Sequence, residues 1–371
     1  MRIGVPKEIK VHEYRVGLAP EGVRTLCAEG NEVWVESGAA QGIGIDDEEY
    51  RVAGATIAAS ASEVFEAAEL IVKVKEPLTT ERTRLRRGQT LFTYLHLAPD
   101  PYQAHDLINA GVTAIAYETV TSPEGGFPLL APMSVIAGRM SVQVTARFLE
   151  KPQGGRGVLL GGAAGVAPAR VLILGAGSVG QSAARIAIGM GAEVIVFNRV
   201  EQGLTSLECE LGPRLRTILA GPERIAAELP GADAVIGAAY VAGAAAPKLI
   251  TRAMLKTMKP GAVLVDVSID QGGCFETSRP TTHADPVFTV DGIVHYCVAN
   301  MPGAVPRTST YALNSATLPF VRKLAALGAI PALRADAHLR NGLNVHAGKI
   351  TQREVAAALG YAYCDPLNAL T

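Results

Sequence analysis

A glycine-rich turn between two apolar stretches constrains the fold of this chain more than any other feature. The apolar run Val171–Leu174 leads directly into Gly175-Ala-Gly177-Ser-Val-Gly180, and a helix-compatible stretch then leads to a second apolar run, Val194–Phe197. This order of strand, turn, helix and strand is typical of a βαβ unit that binds a dinucleotide. Gly175 permits the tight turn, Gly177 lets the backbone approach a pyrophosphate, and Gly180 lets the helix pack closely on the strand. The pattern therefore predicts a dinucleotide site, with an ordinary glycine-rich βα turn as the alternative.

The end of the second apolar run bears on which dinucleotide is bound. An Asp at that position accepts hydrogen bonds from the ribose hydroxyls and repels a 2′-phosphate. Here Asn198 occupies the position and Arg199 follows it. An Asn still accepts a hydrogen bond but repels no phosphate, and an arginine can pair with one. We therefore expect NAD as the cofactor, with tolerance of NADP; a solvated surface arginine is the alternative for Arg199.

Apolar runs alternate with amphipathic stretches along most of the chain, which predicts parallel sheets covered by helices on both faces. The predicted strands are Arg2–Val5, Glu32–Glu36, Leu70–Val74, Thr90–Leu95, Val112–Ala116, Val171–Leu174, Glu193–Phe197, Ala234–Ala238, Val263–Val267 and Ile293–Val298. The predicted helices of the first two thirds include Pro20–Glu29, Asp46–Gly54, Ser62–Glu69, Pro101–Ala110 and Ser134–Leu149.

The last segment of the chain predicts how the domains are built. After about residue 308 it is predicted to form three helices without strands, Leu313–Leu327, Asp336–Leu343 and Thr351–Leu359. Because such helices need a sheet to pack on, we expect this segment to return to the first domain. We therefore predict an α/β protein with two Rossmann-like, doubly wound parallel-sheet domains and a cleft between them. Residues 1–130 and 305–371 are predicted to form a discontinuous substrate domain, and residues 131–304 the dinucleotide-binding domain.

Composition and charge exclude several classes of protein. The 34 Lys and Arg residues against 35 Asp and Glu leave a net charge of −1, which argues against a nucleic-acid partner. The apolar share of 49% is enough for a large core, yet no uninterrupted apolar run predicts a membrane span. The five cysteines are scattered and form no CxxC pair, which argues against disulfides and a zinc site and favours the cytoplasm. No group of side chains has metal-ligand spacing, so we predict no metal.

Four polar residues follow predicted strands, at the edge of the sheet where ligands bind in open α/β folds. Arg15 lies in the loop after the first strand, Lys75 and His96 directly follow two others, and Asp270 lies just past Val263–Val267. Each residue taken singly also has a structural explanation: a solvated Arg or Lys, a structural His, or an Asp that caps a turn. Taken together they suit a small 2-oxo acid, because a guanidinium and an ammonium can hold its carboxylate and carbonyl. An imidazole can exchange a proton near neutral pH, and a carboxylate can stabilise a cationic iminium.

Several longer stretches are distinctive enough to indicate a family. They are Gly4-Val-Pro-Lys-Glu-Ile9, Val72-Lys-Val-Lys-Glu-Pro77, Leu91-Phe-Thr-Tyr-Leu-His-Leu97, Ala116-Tyr-Glu-Thr119, Gly155-Arg-Gly-Val-Leu-Leu-Gly-Gly162, Asp270-Gln-Gly-Gly-Cys274, Arg279-Pro-Thr-Thr-His283 and Ala299-Asn-Met-Pro-Gly-Ala-Val-Pro306. The first two resemble the alanine dehydrogenase and transhydrogenase α-subunit superfamily, and the others resemble the L-alanine dehydrogenases within it. The likeness runs from residue 1 to about residue 350.

The resemblance implies a function and a set of site residues. It implies the reversible NAD-dependent oxidative deamination of L-alanine to pyruvate and ammonia, in a homohexamer. Arg15, Lys75 and Met133 match substrate-binding residues, and His96 and Asp270 match the catalytic pair. Besides the glycine turn and Asn198, the residues that match cofactor contacts are Ser134, Ser178, Val179, Ala239, Tyr240, Val267, Ser268, Ile269, Asp270, Arg279, Val298, Ala299, Asn300 and Met301.

The departures from the family pattern cluster at the adenosine end of the cofactor site. Asn198 replaces the usual Asp, Gly203 a frequent Lys, and Ala220 a Ser. Two other functions stand beside the dehydrogenase as alternatives. One is the nucleotide-binding subunit of a membrane transhydrogenase, although in it Arg15 and His96 would have no role. The other is a non-catalytic dinucleotide-binding module.

Overall fold

The computed structural model describes residues 1–239 and 246–371. The strands in these ranges are β1 (Arg2–Val5), β2 (Glu32–Glu36), β3 (Thr56–Ala58), β4 (Leu70–Val72), β5 (Thr90–Thr93), β6 (Thr113–Ala116), β7 (Arg170–Leu174), β8 (Glu193–Asn198), β9 (Leu215–Leu219), β10 (Ala234–Gly237), β11 (Val263–Asp266), β12 (Val287–Val290), β13 (Ile293–Tyr296), β14 (Leu343–His346) and β15 (Lys349–Ile350).

The α-helices in the same ranges are α1 (Pro20–Ala28), α2 (Asp47–Val52), α3 (Ala61–Ala67), α4 (Thr79–Arg82), α5 (Pro101–Ala110), α6 (Ala131–Phe148), α7 (Ser178–Gly189), α8 (Glu201–Leu211), α9 (Pro222–Glu228), α10 (Arg252–Leu255), α11 (Pro306–Leu327), α12 (Ala329–Ala335), α13 (Ala337–Arg340), α14 (Arg353–Leu359) and α15 (Pro366–Ala369). Short 3₁₀ turns follow several strands, and those at Tyr117–Thr119 and Ile269–Gln271 bear on the site.

The chain forms two compact units. One comprises Met1–Met133 together with Gly303–Thr371, and the other comprises Ser134–Pro302. The assignment of substrate binding to the first unit and dinucleotide binding to the second stays a prediction at this point.

The first unit is built on a sheet whose described strands run in the order β15-β14-β6-β5-β4-β1-β2-β3. Strands β1 to β6 are parallel and follow the doubly wound order 3-2-1-4-5-6, with the order reversing between β1 and β4. The central strands β4 and β5 are buried at every position, as expected for strands that helices cover on both faces. One core cluster joins Phe65, Leu91 and Leu107 to Val345 from the end of the chain.

The second unit repeats this topology. Its described strands run in the order β12-β13-β11-β10-β7-β8-β9, which reverses between β7 and β10. Strand β12 is antiparallel and forms a hairpin with β13 at one edge. The α/β class with two Rossmann-like, parallel-dominated sheets is therefore confirmed.

The prediction that the last segment contains helices only is wrong. The predicted helix Asp336–Leu343 is instead the short α13 followed by β14, and β15 comes next. Strand β14 pairs antiparallel with β6, with a register irregularity between Leu343 and Val345. The cause is non-local: the edge of β6 needs a partner for its N–H and C=O groups, and Leu343–His346, which is distant in the chain, pairs with it.

Within the described ranges, no single helix is long and apolar enough to cross a membrane. Helices α11 and α12 reach the required length and composition only as a pair, and the chain bends by 116° between them.

Candidate active site

The first unit places Arg15 and Lys75 at the point where its strand order reverses. The loop after β1 carries Arg15, and the segment after β4 carries Lys75. Because β1 and β4 are parallel neighbours, the loops that follow them leave the same edge of the sheet. Ligands of doubly wound folds bind in the crevice at this switch point.

Arg15 is buried, and its guanidinium is held on one side by Glu13. The Arg15 Nε lies 2.6 Å from Glu13 Oε1, and Nη2 contacts the other carboxylate oxygen. The Nη1 group lies 3.1 Å from the sulfur of Met133, so the structure brings these two predicted substrate residues together. Burial alone would lower the pKa of Arg15, but the ion pair with Glu13 outweighs burial and raises it. A guanidinium has a second two-nitrogen edge, formed by Nη1 and Nη2, which has the geometry to hold a substrate carboxylate.

The loop that carries Arg15 is fixed by the end of the chain. The side chain of Asn314 on α11 donates to the carbonyl of Gly17 at 3.2 Å and accepts from the N–H of Ala19. The hydroxyl of Thr310 accepts from the N–H of Val16 at 3.3 Å. Gly17 is required here, because an added Cβ would lie 2.3 Å from the carbonyl oxygen that ends β4. Helix α11, from the end of the chain, therefore fixes the loop that carries Arg15 within the first unit.

Lys75 follows β4 in a segment that is clamped by a buried carboxylate. The Glu8 carboxylate accepts from the N–H of Val74 at 2.7 Å and from the N–H of Lys75 at 3.4 Å. On the adjacent strand, the Thr93 hydroxyl donates to the Lys75 carbonyl at 2.9 Å. Burial raises the pKa of Glu8, while two carboxylates raise the pKa of the buried Lys73 beside it. These bonds fix the backbone from which the Lys75 side chain extends.

His96 lies three residues past the end of β5, and its imidazole is exposed. Its backbone has φ 46°, in the left-handed region that few non-glycine residues adopt. The ring lies parallel to that of the buried Tyr94, with 5.9 Å between centroids and 15° between planes. The Tyr94 hydroxyl donates to the carbonyl of Leu129 at 2.5 Å, which anchors the stack. An exposed imidazole on an anchored support is suited to exchange a proton with a bound substrate.

In the second unit the glycine turn has the shape that the sequence predicts. Gly175 has φ 122°, and a Cβ at Gly180 would lie 1.8 Å from the Gly175 carbonyl oxygen. An added Cβ at Gly177 would meet no heavy atom of the described residues within 4 Å. Helix α7 begins at Ser178 and directs its first N–H groups towards this open turn. The turn therefore fits a pyrophosphate, which needs both close backbone approach and free helical N–H groups.

Asn198 ends β8 beside this turn. Its Oδ1 accepts from the N–H of Ala176 at 3.3 Å, and its Nδ2 donates to the carbonyl of Val200 at 2.9 Å. An added Cβ at Gly203 would lie 3.0 Å from the same Nδ2. The amide group is thus oriented by the protein, and the neighbouring Arg199 is exposed.

Asp270 lies in the 3₁₀ turn after β11, with its side chain exposed. The loop around it is organised by Asp266, whose carboxylate accepts from the N–H groups of Ser268 at 3.1 Å and Cys274 at 2.8 Å. Burial raises the pKa of Asp266. The Ser268 hydroxyl donates to the carbonyl of Ala239 at 2.6 Å, which ties the ends of β10 and β11 together.

The other predicted cofactor residues also lie in the second unit, apart from Tyr240, which lies outside the described residues. Met301 is buried at the start of a 3₁₀ turn, and the carbonyl of Asn300 accepts from His283 Nε2 at 3.1 Å. The Arg279 guanidinium lies 4.1 Å above the ring of Phe288. The remaining members are Ser134 in α6, Val179 in α7, Val267 and Ile269 after β11, and Val298 and Ala299 after β13.

Across residues 1–239 and 246–371, no group of three or more His, Cys, Asp or Glu side chains is arranged to hold a metal ion.

The sequence reasoning missed the residues that support the site. Glu13 holds Arg15, Glu8 holds the Lys75 segment, and Glu118 accepts from the backbone near His96. One signal was available for Glu118: it lies two residues past β6, just beyond a strand end as Lys75 and His96 do.

Comparison with known proteins identifies the family. Models of the alanine dehydrogenase/PNT N-terminal and C-terminal domains match residues 4–137 and 141–353. The chain is 56% identical over 370 residues to an alanine dehydrogenase of Halomonas elongata, and 51% identical over 370 residues to one of Mycolicibacterium smegmatis. Each alignment covers 100% of this chain and 100% of the relative.

Solved structures agree with these relatives. An L-alanine dehydrogenase superposes with a TM-score of 0.94 at 49% identity, covering 97% of this chain and 99% of that one. A transhydrogenase from Sinorhizobium meliloti superposes with a TM-score of 0.81 at 24% identity, over 95% of this chain and 99% of that one, which shows a shared fold alone. The resemblance seen in the sequence is thereby confirmed, and the chain belongs to the alanine dehydrogenase family of oxidoreductases.

Proposed function

We propose that this protein catalyses the reversible oxidative deamination of L-alanine. L-Alanine, water and NAD⁺ give pyruvate, ammonium, NADH and a proton. The observation that carries the proposal is the buried, Glu13-held guanidinium of Arg15 at the switch point of the first sheet, with Lys75 on the adjacent segment. A buried cation of this kind at a ligand-binding edge suits a small carboxylate.

The first unit supplies substrate binding and proton transfer in this proposal. Arg15 holds the carboxylate through its Nη1 and Nη2 edge, and Met133 contributes the apolar contact beside it. Lys75, as a point charge, holds the carbonyl or hydroxyl oxygen. His96 takes the proton from the carbinolamine hydroxyl as the carbon–nitrogen bond breaks, and it returns that proton to the carbonyl oxygen in the reverse direction.

The second unit supplies cofactor binding and Asp270. The glycine turn and the first N–H groups of α7 hold the pyrophosphate. The bound nicotinamide dinucleotide supplies the hydride acceptor for the alanine α-carbon. Asp270, exposed on a turn that Asp266 fixes, stabilises the positive charge of the iminium and orients the attacking water. Predicted cofactor contacts other than the glycine turn rest on the family resemblance.

NAD is the proposed cofactor, and NADP is proposed to be tolerated. Support comes from Asn198, an uncharged residue that ends β8 and is oriented by Ala176 and Val200. The pyrophosphate-binding turn serves both dinucleotides equally, so residue 198 governs the difference between them. A cytoplasmic homohexamer is likewise proposed, on the family resemblance and on five cysteines that are all free thiols in the described part of the chain.

The test is the initial rate of NADH formation with L-alanine and NAD⁺, and of NADH consumption with pyruvate and ammonium. His96→Ala should lower kcat by roughly 10²–10⁴-fold while NADH affinity, measured by fluorescence, stays the same. The matched control is His105→Ala, because His105 is an exposed histidine on α5 of the same unit. A wild-type protein that binds NADH but shows no alanine-dependent turnover would instead support the transhydrogenase subunit or the non-catalytic module.

A further inference from the structure

We propose that Glu118 is a positioning residue for His96, because its carboxylate holds the backbone that presents the imidazole. This inference rests on the proposed role of His96 in proton transfer. Glu118 itself has no contact with the substrate in this proposal; its role is to fix the direction in which the His96 side chain leaves the main chain.

The Glu118 carboxylate accepts hydrogen bonds from backbone N–H groups just past the end of strand β5. Strands β5 and β6 are parallel neighbours, with Thr93 paired to Ala116 at their last positions. Beyond these positions the sheet ladder stops, and the N–H groups of the next residues need other acceptors. Both oxygens of Glu118 lie 3.2 Å from the N–H nitrogen of Leu95, and Oε1 lies 2.7 Å from that of His96.

These bonds are made where the backbone is strained. His96 has φ 46°, a left-handed conformation that L-residues adopt only when their surroundings impose it. Two consecutive N–H groups directed at one carboxylate are charge-assisted hydrogen bonds, which are stronger than bonds to a neutral acceptor. The carboxylate thus favours the strained conformation over the extended one that the strand would otherwise continue.

The same peptide segment is held from its other side. The buried Gln103 on α5 donates from Nε2 to the carbonyl of Leu95 at 2.7 Å. The N–H groups of this segment therefore donate to Glu118, and its Leu95 carbonyl accepts from Gln103. The His96 imidazole lies parallel to the ring of Tyr94. Without Glu118, the Gln103 bond still holds Leu95, but the His96 φ angle loses its specific support.

The chain offers a graded set of variants. Glu118→Ala removes both acceptor oxygens, and we expect kcat to fall about 10²-fold, the cost of misplacing a catalytic group by about 1 Å. Glu118→Gln keeps one acceptor oxygen and turns the other position into a donor that opposes the Leu95 N–H, so its kcat should lie between those of Glu118→Ala and wild type. The affinity for NADH should stay the same in both variants. Glu124→Gln is the matched control, because Glu124 is an exposed carboxylate six residues further along.

The decisive measurement repeats Glu118→Ala and Glu118→Gln in a His96→Ala background. If Glu118 acts through His96, each substitution should change the residual kcat there by no more than about twofold, within the error of additivity. An equal fold-loss of kcat in both backgrounds would overturn the inference, as would wild-type kcat in both Glu118 variants. Should Glu118→Ala not fold, Glu118→Gln in the two backgrounds gives the same answer. Failure of the proposed function looks different, since the wild-type protein would then show no alanine-dependent turnover.

Discussion

Replacing Asn198 by Asp should lower the use of NADP far more than the use of NAD. In the structure the Asn198 amide places its oxygen on the Ala176 N–H and its nitrogen on the Val200 carbonyl. An Asp at 198 keeps the first bond but brings a negative charge to the end of β8, where a ribose 2′-phosphate would lie. Arg199 is exposed and contributes only screened attraction.

The size of the effect follows from the charge and the distance. Two unit charges about 4 Å apart at an effective dielectric of about 20 repel by about 4 kcal/mol. That energy corresponds to roughly 10³-fold in kcat/KM for NADP. The effect on NAD should be much smaller, because its 2′-hydroxyl donates to either side chain; the lost Val200 contact of the amide nitrogen is worth about 1 kcal/mol.

The assay compares kcat/KM for the two cofactors, with saturating alanine, in wild type and in Asn198→Asp. Arg214→Gln serves as the control for loss or gain of one charge elsewhere on the surface of the same unit. We expect a wild-type preference for NAD below about 10³ and an increase of about 10²–10³ in the variant. A wild-type preference already above about 10⁴ would refute the reasoning, because another feature would then exclude the phosphate.

Three further predictions concern substrate binding, the glycine turn and pH. Arg15→Lys should lower kcat/KM for pyruvate at least about 30-fold, worth about 2 kcal/mol, because an ammonium cannot form two parallel hydrogen bonds to a carboxylate. An unchanged kcat/KM would contradict this role of Arg15. Gly180→Ala should cost about 1–3 kcal/mol of stability and weaken NADH binding, because the added Cβ would lie 1.8 Å from the Gly175 carbonyl oxygen. The control Gly189→Ala, on the same helix, should leave stability and NADH binding unchanged. Burial lowers the pKa of His295, and both of its ring nitrogens are hydrogen-bonded in the folded protein. The neutral imidazole therefore contributes to stability above the unfolded pKa of about 6.5, and this contribution is lost as the pH falls through the lower folded pKa. Urea unfolding across this range should show stability rising with pH in wild type and a flatter curve in His295→Gln; equal slopes would contradict the assignment.

The sequence predicted the central strands to within two residues because their signal is local. Strands β4, β10 and β11 are buried at every position and are mostly apolar, and burial on both faces requires that pattern. The edge strands β3, β9 and β12 were also missed. Strand β3 has only three residues, and β9 and β12 are partly exposed and lack the all-buried apolar pattern of a central strand. Strand β14 was taken for helix because its partner β6 is more than 200 residues away in the chain, a distance at which local patterns carry no information.

The candidate site residues that lie beyond the ends of strands could be predicted from the sequence. Arg15, Lys75 and His96 were found by the rule that ligands bind at the carboxyl edge of a parallel sheet. The carboxylate that holds Arg15, Glu13, carries no local signal of its role, since an acidic residue in a loop is usually solvated. For Glu118 the sequence offers only its place just past a strand, which does not show what its carboxylate holds. Their function depends on which backbone groups the fold leaves without a sheet partner, which only the assembled sheet reveals.

The pairing of β6 with β14 has a consequence for how the chain is made. Thr113 on β6 and His346 on β14 are hydrogen-bonded partners separated by 233 residues. At ribosomal rates of about 5–20 residues per second, β6 is synthesised roughly 10–50 s before its neighbour exists. During that interval the intervening unit, Ser134–Pro302, can complete its own sheet, while β6 presents a bare edge of the kind that captures strands from other molecules. The yield of active enzyme in a cell should therefore depend on elongation rate and chaperone supply, and not only on the stability of the finished protein.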